Sequence, residues 1–400
     1  MPIYLDEVPG KREKISRPVS FRWAALLVFF LITGIVLTLW QWSGERSGFS
    51  FWFTAVGLPL CVGGLLYNIR RIGYWAEQNG QAGWDYECES ITAAESARGK
   101  RFAWILDSYI QTQAGPGVGC LLTSMENDVP LTQAVKPRSG EILVRHSRLV
   151  DFDSNENALI DAIDKIAKRV GKIISPLPPQ IKCWLMFEYD TQSAPEKYDE
   201  LIHLISHQLG RQVHRLPVQG INAVDYWLDH HWTKPSVFIA LSVSLRSSPQ
   251  QNDAEAISCL VLCNRRSHQY PDVVKLHRPQ KSSNETLSRN LAHALRWTAK
   301  KADDVTGIWI TGEALTLLPG WNRACEENRL ALSLTDDVKV IDNVLGFAGK
   351  ASPWIAVALA GHVVKSKGAQ LIAAQPEKVR DEIWIATITA EKRQKDLTNK

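Results

Sequence analysis

The sequence predicts an α/β protein carried on a transmembrane helical hairpin. Two observations predict this class. Near the N-terminus, Phe21–Trp42 and Phe49–Tyr67 are apolar runs separated only by the polar stretch Ser43–Ser47. From residue 101 to residue 389, strand-like alternation and helical periodicity succeed one another, the pattern of largely buried sheets covered by helices.

The first run has no charge between Arg22 and Glu45, and the second none until Arg70. Each meets the need of a helix that crosses a hydrocarbon core, roughly 20 residues. Gly57, Pro59, Gly63 and Gly64 suit a membrane helix that approaches a neighbour closely, and Trp40, Trp42, Trp52 and Tyr67 fall near the lipid–water interface. Lys11, Arg12, Lys14, Arg17 and Arg22 precede the first run, Arg70 and Arg71 follow the second, and the turn holds Arg46 offset by Glu45. Positive residues stay on the cytoplasmic side, so both termini are expected in the cytoplasm of a bacterial inner membrane protein. A cleaved signal peptide would need a shorter apolar region and a small-residue cleavage site, which the sequence lacks.

Residues 73–98 read as a polar connector, glycines first and then a helix-friendly stretch. RFAWILDSYI (101–110) alternates as a strand, QAGPGVG reads as a loop, and EILVRHSRLV (141–150) alternates again. Residues 157–174 carry apolar side chains at helical spacing, with Asp153 or Ser154 as cap and Pro176, Pro178 and Pro179 as stop. Strand 181–189, helix 198–209, strand 211–218, helix 221–232 and strand 235–245 follow, and the polar stretch Arg246–Asp253 marks a boundary. A second series runs strand 254–263, helix 284–301, strand 306–310, helix 313–328, strand 338–341, helix 351–365 and strands 370–374 and 381–389. Two series of similar order suggest a duplicated unit.

Composition bounds the function. A net charge of +4 without a basic, aromatic-interleaved stripe argues against a nucleic-acid partner. The 7 cysteines have no paired framework and read as reduced, mostly buried thiols. His203 and His207 share a helix face, but Leu204 stands where a zinc protease needs its glutamate. His230 and His231 read as a helix C-terminal cap, Cys259 and Cys263 as buried thiols, GPGVG (115–119) as a turn, and the acids Asp151, Asp153, Glu156 and Asp161 as a helix-start cluster. No metal or cofactor site is expected.

IDNVLGFAGKASPWIAVALAGHVVKSKG (341–368) resembles the β-ketoacyl synthases of the thiolase-like fold, in which an Asn–apolar–Gly–His turn precedes a small-residue helix; Asn343, Gly346, Ala348, Gly349 and Ala351 fit that plan. IWITGEALTLLPGWNRACEEN resembles the family's His–Gly–Thr–Gly strand end, with Thr311 and Gly312 fitting. DAEAISCLVLCNRR resembles the strand that opens the second half, and PSVFIALSVSL the strand that closes the first. The resemblance implies duplicated αβ layers: a tail 1–19, the hairpin 20–72, the connector 73–98, a first thiolase-like half 99–245, a second half 246–393 and a tail 394–400.

It also implies a cysteine nucleophile at a helix start and two histidines. The first histidine position falls on Ile310, with Trp309 as the alternative, the second on Phe347, and the family's lysine near Asp342. The cysteine position falls within Leu216–Ala223, which has no thiol. Ile310, Thr311, Gly312, Asp342, Gly346 and Phe347 are thus expected to be degenerate active-site positions with no catalytic residue among them. The function expected is a membrane-anchored, non-catalytic adaptor docking a protein partner, with a homodimer in view because the fold commonly dimerises. Accessories of bacterial secretion systems, type VI included, share that architecture. The competing expectation is an acyl- or lipid-processing enzyme with a rearranged site drawn from Cys325, Glu313 and His362.

Overall fold

The structure is a computed structural model, and it describes residues 5, 8–13, 15, 20–44, 46–137, 142–149, 156–190, 195–246, 248–298, 300–316, 319–330, 332–333, 336–377 and 381–391. The cap candidates Asp153 and Ser154 and the polar tail 394–400 lie outside the described residues. The chain divides into two units, Tyr4–Ser96 and Ala97–Lys400 (with Met1–Ile3).

In the N-terminal unit, α1 (Ser20–Gln41) packs against a second helix built from α2 (Phe49–Trp52), a π-turn (Phe53–Gly57) and α3 (Leu58–Gly99). Pro59 has no N–H to offer the carbonyl of Ala55, four residues earlier, and the chain absorbs the defect as the π-turn, with Leu58 donating to Phe53. The helices are antiparallel. Trp42 meets Phe51, Gly34 lies against Pro59, Gly63 against Leu27 and Phe30, and Trp23 meets Tyr67. A Cβ on Gly34 would come within 2.1 Å of Pro59 Cγ, so this close crossing requires glycine. Both helices are long and apolar enough to cross a membrane. The connector expected over 73–98 is instead helix, continuous with the second apolar run. Gly73, Gly80 and Gly83 each cost it about 1 kcal/mol relative to alanine. Contacts from the N-terminal segment offset that cost: Gln81 Nε2 donates to the carbonyls of Arg12 and Glu13 at 3.1 and 2.8 Å, and the Arg12 guanidinium lies 4.4 Å from the Trp84 ring.

The second unit opens with β1 (Phe102–Thr112), which turns back on β2 (Gly115–Pro116), then α4 (Val118–Glu126) and a small hairpin of β3 (Gln133–Val135) and β4 (Val144–His146). α5 (Glu156–Ile174), β5 (Lys182–Asp190), α6 (Pro195–Leu209), β6 (Val213–Arg215), α7 (Asn222–His230), β7 (Ser236–Ser244) and β8 (Ala256–Cys263) follow. Next come β9 (Val274–His277), β10 (Gln280–Ser282), α8 (Leu287–Thr298), β11 (Val305–Thr311), α9 (Glu313–Thr316) and α10 (Gly320–Glu327). The chain closes with β12 (Val338–Val340), α11 (Ile341–Val344), α12 (Ser352–Lys367), β13 (Ala369–Ala374) and β14 (Ile383–Ala390).

Strand order is β12-β11-β13-β14-β9-β1-β8-β7-β5-β6. Read outward from the central antiparallel β1–β9 pair, the two sides match: two antiparallel pairs, then two parallel ones. This is the duplication the element order suggested. The structure also corrects three details. The strand expected to open the second series, Ala254–Cys263, is β8 and ends the first repeat as β14 ends the second. The second repeat begins at β9, which the sequence reading missed along with β10, and the single helix expected over 313–328 begins as α9 and resumes as α10.

Alternation along each strand sorts the core into layers. Phe238 and Ala240 of β7 and Ile372 and Ala374 of β13 face a central cluster that holds α7 and α12. Val237, Ile239 and Leu241 face α5 and α6, whereas Leu371 and Ala373 face α8 and α10. The result is α-β-α-β-α layering. β7 is buried along its whole length, and α12 is buried from Ser352 through Ala360, the burial pattern of a helix enclosed on all sides. Each large apolar side chain so enclosed contributes about 1.5–3 kcal/mol.

Candidate functional site at the carboxyl ends of the parallel strands

In parallel sheets ligands gather beyond the carboxyl ends of the strands, where loops precede the next helix. Each repeat has one such end: β5 with the loop into α7, and β11 with the loops into α12.

At the end of β11, Gly312 adopts φ +109°, and a Cβ there would come within 2.3 Å of Gln375 Cβ. The Asp342 carboxylate, in the first turn of α11, accepts the Thr311 hydroxyl at 2.7 Å and the Gly312 N–H at 2.6 Å. Gln375 Oε1 accepts the Ala314 N–H at 3.0 Å. Two backbone donors of the kind that could stabilise an oxyanion are therefore taken by side chains of the chain itself.

Gly346 and Phe347 lie in the loop between α11 and α12. Phe347 forms a parallel bridge with Asp253, its N–H donating to Asn252 at 2.8 Å and its carbonyl accepting from Ala254 at 2.9 Å. Gly346 has φ +90°, and a Cβ there would lie 2.8 Å from the Asp253 carbonyl oxygen. The Arg246 guanidinium stands 5.9 Å from the Phe347 ring and pairs with Asp253 at 3.0 Å.

Ile310 does not join this group. Its side chain packs in the outer cluster with Leu287, Leu291 and Leu371, on the opposite face of the sheet from Trp309. Trp309, the alternative, faces the central layer and donates its indole N–H to Gln370 at 3.0 Å. Thr311 is the β11 side chain that reaches Asp342. Of the six positions named from sequence, the structure thus joins Thr311, Gly312 and Asp342, seats Gly346 and Phe347 against Asn252–Ala254, and turns Ile310 away.

The first repeat has a matching tie that the sequence reading missed. Glu188, buried near the end of β5, accepts the Gly220 N–H at 2.8 Å, with Gly220 at φ +67°. Two residues later α7 begins at Asn222, and buried Ile221 occupies its N-cap. Beside it a cleft of about 340 Å³ opens, lined by Met186, Phe187, Arg215, Pro217 and Gln219 among others.

The thiols sit elsewhere. Cys183, Cys259 and Cys263 lie in the outer core of the first repeat and Cys325 in that of the second; burial pushes the Cys325 thiol up to about 12 and the Cys259 thiol upward too. Cys120 is exposed in the first turn of α4, its thiol donating to the Pro116 carbonyl at 3.3 Å. Glu313, Cys325 and His362 do not converge: Glu313 is exposed at the start of α9, Cys325 lies on the buried face of α10, and His362 is exposed near the far end of α12. His203 and His207 share the exposed face of α6, and His230 Nδ1 lies 2.9 Å from the Tyr226 carbonyl near the end of α7. His231 stacks on Trp184 at 3.8 Å; burial first, then His230, Lys182 and His214, lowers its pKa. Among the described residues no group of three or more His, Cys, Asp or Glu side chains is arranged to hold a metal ion.

Behind the site, α7 is held by charge. Arg278, with a fully buried side chain, donates to Asp225 at 2.5 Å, lies 2.7 Å from Asp229, and donates to the Arg98 carbonyl at 3.1 Å. Burial pushes the Asp229 carboxyl up, but hydrogen bonds and charge from Arg98 and Arg278 outweigh it and hold the group well below the usual carboxylate range.

No protein-family model and no curated protein matches the sequence. Solved structures do. The oxazolomycin ketosynthase domain of Streptomyces albus superposes with a TM-score of 0.54 at 10% identity, covering 73% of this chain and 76% of that one. The ketosynthase from module 6 of the bacillaene synthase of Bacillus subtilis gives 0.54 at 7% identity, covering 73% and 71%. The ishigamide ketosynthase/chain length factor gives 0.50 at 10% identity, covering 72% and 99%. Identity this low speaks to architecture alone. With its mirrored repeats, five layers and two enclosed central helices, the chain has the thiolase-like fold.

Proposed function

We propose that this protein is a membrane-anchored, non-catalytic thiolase-like module that binds a protein partner at the cytoplasmic face of a bacterial inner membrane. One observation carries the reading: the Asp342 carboxylate occupies the Thr311 hydroxyl and Gly312 N–H where a condensing site would keep donors open. Buried Ile221, at the start of α7 where a nucleophile would stand, supports it. The Ile310–Phe347 pair lends no support, because Ile310 faces the outer layer.

Topology draws on a contact within the N-terminal unit. Lys11 pairs with Glu89 at 2.5 Å, so the segment before α1 runs beside the polar half of α3. Both flanks of the hairpin then lie on one side, the side that the basic residues assign to the cytoplasm. Confinement to the membrane raises the effective concentration of such a domain for other membrane-bound components. A secretion-system accessory, type VI included, is one setting for that role.

The competing reading, an acyl- or lipid-processing enzyme, has the cleft beside Arg215 in its favour. Affinity purification of the full chain from detergent-solubilised membranes separates the two. A stoichiometric protein partner supports the adaptor. A preparation without one that turns over an acyl thioester refutes it.

A further inference from the structure

We infer that α3 is a dimerisation helix: a charge-free seam along it packs in parallel against the same seam of a second copy of this chain. Parallel packing rests on the membrane-spanning reading above. One side of α3 is covered from within the chain. Gly63 lies against Leu27 and Phe30 of α1, and Gln81 donates to the segment before α1. These two residues stand about five turns apart and so point the same way. Ile72, about two and a half turns from each, points the opposite way. From it Ala76, Asn79, Gly83, Tyr86 and Ser90 follow at alternating spacings of four and three, the seam of a two-stranded coiled coil. Val62, Leu65 and Ile69 carry the same spacing back into the apolar half. Every one of these residues is exposed, Ile72 by 66% and Tyr86 by 68%.

Charge and shape both favour a second copy as the occupant. A copy held by its own hairpin in the same membrane lies parallel, so each seam residue meets its own equivalent. A charge there would face itself, and the seam has none from Val62 to Ser90. In a parallel pair, the side chain flanking the seam on one helix lies beside the one five residues further along the other. Trp75, 56% exposed, therefore falls beside Gly80 of the second copy, and Asn68 beside Gly73. A Cβ on Gly80 or Gly83 would meet nothing within 4 Å, so packing within the chain does not call for glycine at either position. A bulky ring arriving from a second helix does. No like charges meet on the flanks: Glu87 falls beside Ala82, and Glu89, paired with Lys11, beside Ala94. The stripe is about 40 Å long and offers on the order of 500 Å² per chain, near the ~1,000 Å² in total that a specific interface needs.

The test uses the full chain in its own membranes, with single cysteines introduced and disulfide formation started by copper phenanthroline. The wild-type chain, with its native thiols, sets the background. Asn79→Cys should give a disulfide-linked dimer on a non-reducing gel in at least about tenfold excess over Glu77→Cys, which is exposed but off the seam. Gly80→Leu suits an isolated helix better than glycine, yet by filling the slot for Trp75 it should weaken dimerisation in lipid bilayers at least about tenfold, read by single-molecule photobleaching. Glu77→Leu should leave the dimer unchanged. Equal crosslinking at positions 79 and 77, or a dimer indifferent to Gly80→Leu, overturns the seam and assigns any dimer to another surface. Carbonate extraction of the same membranes is run alongside. Wild-type chain that is retained but monomeric refutes the seam alone, whereas chain released by carbonate refutes the hairpin reading on which it rests.

Discussion

Replacing Arg278 by Met should unlock α7 more than any surface change could. The guanidinium and the Asp225 carboxylate are both fully buried, at 2.5 Å, and Arg278 also binds Asp229 and the Arg98 carbonyl. Removing one partner of a buried pair costs about 3–5 kcal/mol, because the other charge is left in a poor solvent. Asp229 keeps Arg98 and Arg101, so the loss concentrates on Asp225. At about 2–4 °C per kcal/mol, the single variant should melt on the order of 10 °C lower. The double variant Arg278→Met/Asp225→Leu removes both charges and should return to within about 2 kcal/mol of wild type. Melting of the full chain in detergent, followed by tryptophan fluorescence, reads all four corners of the cycle. A loss below about 1 kcal/mol for Arg278→Met, or a double variant as unstable as the two singles summed, would refute the coupling.

Four further outcomes are expected. Gly312→Ala, forced into φ +109° against Gln375, should destabilise by about 2 kcal/mol or more in the same melt. Asp342→Ala leaves the Thr311 hydroxyl and Gly312 N–H without their acceptor and should cost about 1–3 kcal/mol, with Asp342→Asn recovering part of it. His277 is held down to about 4 by burial, then by Lys275 and Lys300, so its neutral form favours the fold. That stability is full above the unfolded value near 6.5 and fades as pH falls toward about 4, by up to about 3 kcal/mol; a His277→Phe variant should show a flatter pH profile over that window. Gly34→Val should splay the hairpin at Pro59, seen as faster proteolysis of the detergent-solubilised chain.

The hairpin was legible because absence of charge over two long runs has few other causes. The layering was legible in part, since PSVFIALSVSL and the apolar helix ending at Lys367 can only be enclosed elements. The orientation of β11 was not: a strand buried on both faces is apolar throughout, so nothing in VTGIWIT tells which residue faces inward, and a shift of one exchanges Ile310 for Thr311. β9 and β10 are short, and pairing with β1 and β14 defines them, not composition. Helix 73–98 looked like a linker because glycines and polar side chains dominate it, and its bracing by residues 10–15 is a long-range contact. Glu188 with Gly220, and Asp342 with Gly312, are each about 30 residues apart and follow no spacing rule.

The large sheet ends on each side in a strand of three residues, β6 and β12. Such stubs offer few open rungs to a passing chain, so the sheet is a poor template for fibrous growth despite its apolar interior. Any association through those margins must then be secured by side chains, which lets a chosen neighbour be told from a random one.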